Sequence, residues 1–198
     1  TGGGLNTEEY FGFRLNLHAI YHMMNERMPV HADLDLTSLG LRYVYPDVPA
    51  AFLFRNGESL VLSRDASQSA SAIAKLSTSD AVAFQKMWAE FQPMLEQYLI
   101  PMTYRLPAPP VDQLVAFGET PVGARLAEIS ELSFVALLDH YGFRDPRVRM
   151  AMLAFPAMWG LHLEEPLGYL YPLYLCRMLS AGLVKGGSHR LSSAMYKY

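Results

Sequence analysis

The residues able to do chemistry are few, and most stand outside a complete catalytic set. His18 and His22 lie four apart and His31 follows nine later. On a helix the first pair would share a face, as metal-ligating histidines do. Position 19 is alanine, so the glutamate of a His-Glu-x-x-His zinc-protease motif is missing, and no carboxylate stands at a ligand spacing. Two partly buried histidines are therefore the better reading, and no metal site is assigned. Ser188, in Gly186-Gly187-Ser188-His189-Arg190, lacks the second glycine of a nucleophile elbow. Asp139 and His140 are adjacent and would diverge on a helix, so a Ser-His-Asp relay is unsupported. The catalytic residues stay unassigned.

Glycine-rich and aromatic segments say more. Gly2-Gly3-Gly4 lets a backbone approach a phosphate or sugar closely, since no β-carbon intervenes. On its own it reads as a linker, because it is no GxGxxG and follows no strand. Lys185-Gly186-Gly187 offers a tight turn ahead of a helix start. Between them, Trp159, His162, Tyr169, Tyr171 and Tyr174, with Met150, Met152 and Met158, would suit either core packing or the wall of an apolar ligand pocket. Glu164 and Glu165 interrupt that stretch and are expected to face solvent.

The elements that must position these residues change character at about residue 65. Phe11, Phe13, Leu15 and Leu17 alternate with other residues, the period of a half-buried strand. Residues 18–28 are helix-compatible, and Pro29 closes them. Residues 41–45 and 51–54 read as strands; Asn56-Gly57 then turns the chain into a partner strand over 59–62. From Asp65 the periodicity is helical. Asp65 caps a helix to Leu76, and Ser77-Thr78-Ser79-Asp80 has capping-box form ahead of a long helix containing Pro93. Prolines 101, 107, 109 and 110 mark a stiff linker. Helices follow over 111–117, 121–129, 131–140 and 146–155, with Gly142 a left-handed cap, and a last long one over 169–183. The fold class is thus α+β, a small antiparallel β layer followed by a predominantly helical cluster. The domain reading is a β-rich segment over 1–65 and a helical, substrate-binding region over 66–198.

Composition narrows the function. Of 198 residues, 51% are hydrophobic and 18% charged, enough apolar surface for a core. A net charge of -3 with scattered Lys and Arg argues against nucleic acid as a partner. The single cysteine, Cys176, excludes an intrachain disulfide and fits a reducing, cytoplasmic setting as a buried thiol. No apolar run reaches the roughly 18–20 residues needed to span a bilayer. The triple glycine at the start, with no initiator methionine, leads us to expect a removed segment upstream of Thr1.

Taken in order, Gly2-Gly3, Thr7-Glu8-Glu9 and Phe11-Gly12-Phe13-Arg14 resemble a segment of FAD-dependent oxidoreductases of the phytoene desaturase and amine oxidase group. The resemblance continues through Leu39-Gly40-Leu41, Asn56-Gly57, Leu60-Val61-Leu62, Arg64-Asp65, residues 72–77 and Asp80-Ala81, covering about the first 90 residues. Lys185-Gly186-Gly187-Ser188, with Leu191 and Ala194, resembles the Gly-Gly turn before a helix near the flavin. The middle, residues 111–183, is similar only in helical content and length.

The resemblance implies FAD as cofactor, with Gly2, Gly3, Lys185, Gly186 and Gly187 beside it and Trp159, Tyr171 and Tyr174 toward a small apolar or amine-like substrate. The GxGxxG motif and the acidic ribose ligand of the family would lie before Thr1, and the C-terminal flavin-contacting segment after Tyr198. Relatives often carry proline between the positions of Phe11 and Gly12. The isolated chain is therefore expected to be inactive and to hold FAD poorly. Its helical apolar surface admits self-association to a homodimer and peripheral contact with a membrane. The competing function is a non-catalytic helical module that binds a hydrophobic ligand or a partner protein.

Overall fold

The structure is a computed structural model that describes residues 2–198. In chain order it contains β1 (Thr7–Tyr10), β2 (Phe13–Asn16), α1 (Pro29–Asp33), β3 (Tyr43–Val44), β4 (Ala50–Leu53) and β5 (Ser59–Leu62). Then come α2 (Ala66–Ala74), α3 (Thr78–Met94), a π-helical turn (Leu95–Leu99), α4 (Ile100–Thr103), α5 (Pro110–Gly118) and α6 (Pro121–Ser130). The chain ends with α7 (Phe134–Tyr141), α8 (Pro146–Met158), α9 (Tyr171–Leu179), β6 (Leu183–Val184) and α10 (His189–Lys197). The class is α+β, with antiparallel strands paired as three two-stranded ribbons, β1-β2, β3-β6 and β4-β5.

Two compact units emerge: Thr1–Pro49 with Ser180–Tyr198, and Ala50–Leu179. The first is discontinuous, its late segment bound to its early one. Tyr43 pairs with Val184 and Val44 with Leu183, and His22 bridges Gly182. Its core gathers Leu36, Leu41, Val184 and Ala194, with Leu39 and Leu191 packed against them. Burying such side chains contributes roughly 1.5–3 kcal/mol each, which is what a short chain segment needs to hold α10 in place.

Three sequence expectations in this unit are corrected. The strand expected from Phe11 begins at Phe13, because Phe11 (φ 49°) and Gly12 (φ 79°) form a two-residue turn with both residues left-handed. That is the turn whose twist matches a hairpin. Nor is a face of it half-buried: Phe11 is 86% and Phe13 71% exposed. The helix expected over 18–28 is absent, and Pro29 opens α1 where it was expected to end a helix. Proline at the first helical position loses no hydrogen bond, so the start is the favoured place.

The second unit follows its local signals closely. Asp65 caps α2 by accepting from the Ser67 amide at 2.7 Å, and Ser77 caps α3 by accepting from the Asp80 amide at 3.2 Å. Thr120, Ser133 and Asp145 cap α6, α7 and α8 in the same way, and Gly142 ends α7 left-handed. Each cap satisfies an otherwise orphaned N–H, worth about 1 kcal/mol. The hairpin at Asn56-Gly57 forms with Gly57 left-handed and its amide on the Phe54 carbonyl, so the glycine serves the bulge after a turn. Pro93 lies inside α3, and the ladder widens to the π turn immediately after it.

The expected last helix over 169–183 is shorter. It runs from Tyr171 to Leu179, and residues 183–184 form β6 instead. An aromatic core holds the bundle: Tyr171 packs against Phe91 and Phe134, ring centroids 6.1 and 6.0 Å apart.

Candidate functional site

In the first unit each glycine segment packs against an element from the other end of the chain. Gly187 is left-handed (φ 105°) and so close to β1 that a β-carbon on it would stand 2.6 Å from Thr7 Oγ1. Gly2 (φ 106°) approaches α10, where a β-carbon would stand 2.7 Å from Ser192 Oγ. Polar side chains sew the junction together. Asn16 Oδ1 accepts from Thr7 Oγ1 at 2.8 Å and from the Ser188 amide at 2.9 Å. Thr7 Oγ1 accepts from the His189 amide at 3.1 Å, and Ser188 Oγ donates to the Ala19 carbonyl.

The first N–H groups of α10 are thereby spent on the protein itself. Any anion at this junction must be held by side chains and glycine faces, not by the helix start.

Two faces remain open for that purpose. Gly3 (φ 54°) has no atom within 4 Å of its missing β-carbon. Gly186 faces two guanidinium groups, Arg190 Nε at 3.4 Å and Arg14 Nη1 at 3.5 Å from its would-be β-carbon. The cross-strand neighbour of Arg14 is Glu9. Lys185 is exposed beside them, its backbone pinned by a 2.9 Å bond to the Arg42 carbonyl. Cations converging on a bare glycine attract an anion with several oxygens, such as a phosphate. Gly2, Gly3, Lys185, Gly186 and Gly187 thus share one unit, with Gly2 against α10 and Gly187 against β1. Arg14 and Arg190 were missed as site residues; they lie far apart in sequence, and only the fold reveals that both face Gly186.

The substrate-side candidates lie in the second unit, where two of them pair and the third is spent in the core. Tyr171 is fully buried and donates its hydroxyl to the Met152 carbonyl at 3.1 Å, and burial holds its phenol far above the usual range. Trp159 and Tyr174 form a half-exposed pair, centroids 5.8 Å apart, with the Arg177 guanidinium 5.8 Å over the Tyr174 ring. Cys176 is half-buried and forms no disulfide. Asp139 pairs with Arg149 at 2.6 Å, while His140 Nε2 meets Arg125 at 2.6 Å, so the two neighbours diverge. Glu164 and Glu165 are exposed as expected.

A histidine cluster occupies another part of the first unit. His22 Nδ1 lies 3.0 Å from the Tyr43 hydroxyl, and the His31 ring packs 5.5 Å from the same tyrosine. Asn25 Nδ2 donates to the Tyr45 hydroxyl at 2.6 Å. Burial lowers the His22 pKa, helped by the nearby His31 charge, and burial alone lowers that of His31. His18 is exposed, and without a helix over 18–24 it shares no face with His22. Among the described residues no three His, Cys, Asp or Glu side chains group as metal ligands.

Because both pKa values fall on folding, the unfolded chain takes up protons first as pH drops. Stability is full above the ordinary histidine value of about 6.5 and declines as pH falls from there toward the folded values. Denaturation midpoints measured between pH 7.5 and 5 should fall accordingly, and less so in His22→Asn/His31→Asn. An unaltered slope in that variant would remove the cluster as the cause.

Among the described residues no helix is long and apolar enough to cross a membrane. No protein-family model matches the sequence. The chain is 41% identical, over all 198 residues, to one of the subunits of limonene dehydrogenase from Castellaniella defragrans, and it spans 36% of that protein's length.

Proposed function

We propose that this chain is part of a flavin-dependent dehydrogenase of the phytoene dehydrogenase type, acting on a small apolar or amine-like molecule. The observation that carries the reading is that, within one unit, Gly2 packs against α10 while Gly187 packs against β1 and Gly186 faces Arg14 and Arg190. The likeness to a limonene dehydrogenase subunit along the whole chain supports an oxidoreductase and favours a hydrocarbon substrate.

The residues fit the cofactor: Gly3 leaves an open backbone face, and Gly186 is faced by Arg14 and Arg190. These would hold the diphosphate of FAD, with further segments of the protein completing the site. When bound, FAD would supply the two-electron acceptor for a hydride from the substrate carbon, the accompanying proton leaving to solvent. Lys185 lies at the edge of the cradle and would orient the flavin side of the site. Trp159 and Tyr174 offer an aromatic surface for an apolar substrate in the second unit.

In the complete enzyme, Lys185→Met is expected to slow flavin reduction in single-turnover kinetics by about 100–1,000-fold, the loss typical of one preorganised donor. An unchanged rate constant would take Lys185 out of the active site.

A further inference from the structure

The second unit contains a cleft of about 450 Å³ between the π turn, the strap that follows α4, and α5. That volume lies within the roughly 300–1,000 Å³ typical of small-molecule sites. Its walls are apolar: Tyr98, Met102, Leu106, Ala116 and Phe117.

The cleft is propped open by its own chemistry. The π turn inserts an extra residue and brings Gln97 and Tyr98 to the cleft wall. The Tyr98 hydroxyl is then fixed 2.6 Å from Thr120 Oγ1, and Phe117 stands edge-on to the Tyr98 ring at 5.3 Å. Pro107 and Pro109 stiffen the strap, and Gln113 Nε2 ties it to α5 through the Ala108 carbonyl at 2.7 Å. A preformed wall of this kind costs little ordering entropy on binding.

Charge selects the ligand. Arg105 lines the cleft, and among the described residues no carboxylate pairs with it. Asp112 also lines it, but sits in the first turn of α5, where the helix dipole stabilises its charge. The Gln113 amide is spent on Ala108. Arg105 thus stands beside an apolar cavity without an ion pair of its own among the described residues.

We propose that this cleft binds an amphipathic small molecule, an apolar body ending in a carboxylate, with the body against Tyr98, Met102 and Phe117 and the carboxylate on Arg105. The site lies in the second unit and is independent of the flavin cradle. The probe is cis-parinaric acid, whose fluorescence rises in apolar surroundings, with its methyl ester as the uncharged comparison.

The protein should bind the acid saturably and about tenfold more tightly than the ester, as a charge-assisted pair requires. Arg105→Met should abolish that preference while leaving ester binding unchanged; Arg105 is exposed, so the fold should tolerate the change. Ala116→Trp, which fills the cleft, should remove binding of both. Absence of saturable binding, equal affinity for acid and ester, or full acid binding in Arg105→Met would each overturn the proposal.

Discussion

Gly187→Ala is expected to destabilise the first unit by about 3 kcal/mol or more, the sum of a forced left-handed alanine and an overpacked contact. The new methyl would stand 2.6 Å from Thr7 Oγ1 and 2.9 Å from Thr7 Cβ. Thr7 cannot retreat without releasing both the His189 amide and Asn16. Gly40 separates the two costs. It has a similar left-handed φ of 94° but no atom within 4 Å of a would-be β-carbon. Gly40→Ala should therefore cost only about 1–2 kcal/mol, the backbone part alone. Denaturant midpoints for the two variants test this; equal losses would show that Gly187 is needed for its backbone and not for the approach of the two segments.

Asp80→Ala is expected to cost the second unit about 3 kcal/mol or more, the loss of two buried hydrogen bonds to a charged acceptor at roughly 1.5–3 kcal/mol each. Asp80 is fully buried, and its carboxylate accepts the Arg144 amide at 3.0 Å and the Asp145 amide at 2.9 Å. Both amides lie at the turn between α7 and α8. Alanine would leave them without their acceptors, while Asp80→Asn keeps one oxygen and should cost about half as much. The Asp145 cap of α8 should loosen with it, because Asp145 also holds Arg147 at 2.6 Å, and Arg147 in turn pairs with Glu58 of the β4-β5 hairpin. Urea unfolding followed by amide exchange at Arg144 and Asp145 reports both effects. A loss below about 1 kcal/mol, the worth of a single neutral hydrogen bond, would mean that water replaces the carboxylate.

The same aspartate shows how far sequence reasoning reaches. Ser77-Thr78-Ser79-Asp80 announces a helix start, and Ser77 does cap it. Capping is local, so Asp65 and the Thr120-Pro121 and Asp145-Pro146 starts could be read from a few neighbouring residues, whereas Ser133 was missed: the helix expected from residue 131 begins at Phe134. The carboxylate of Asp80 is used 64 residues away, and no local pattern records that. The failures share this cause. Leu183 and Val184 look like the end of an apolar helix until Tyr43 and Val44 supply strand partners. Tyr171 reads as a pocket residue by type, but its hydroxyl finds a core carbonyl. The alternation from Phe11 to Leu17 gave the strand without its first residues, because the Phe11-Gly12 turn takes them. It also misplaced the apolar side chains, which stay exposed among the described residues.

The glycine cradle was half legible. Gly2-Gly3 and Gly186-Gly187 stood out by composition and by family resemblance. The packing of Gly186-Gly187 against β1 could not be read, because it depends on Thr7, Asn16 and Ser188, three small polar residues with no motif of their own. Arg14 and Arg190 become meaningful only once Gly186 lies between them.

The flavin content of the complete protein, purified and compared with its Arg14→Met/Arg190→Met variant, is the most direct test of the cradle. Stoichiometric FAD in the native protein is the expected result, with weakened retention in the variant and an unchanged circular-dichroism spectrum. A native protein that carries no flavin and takes up none from solution would contradict the flavin-dependent reading. A variant that retains it fully would place the diphosphate elsewhere.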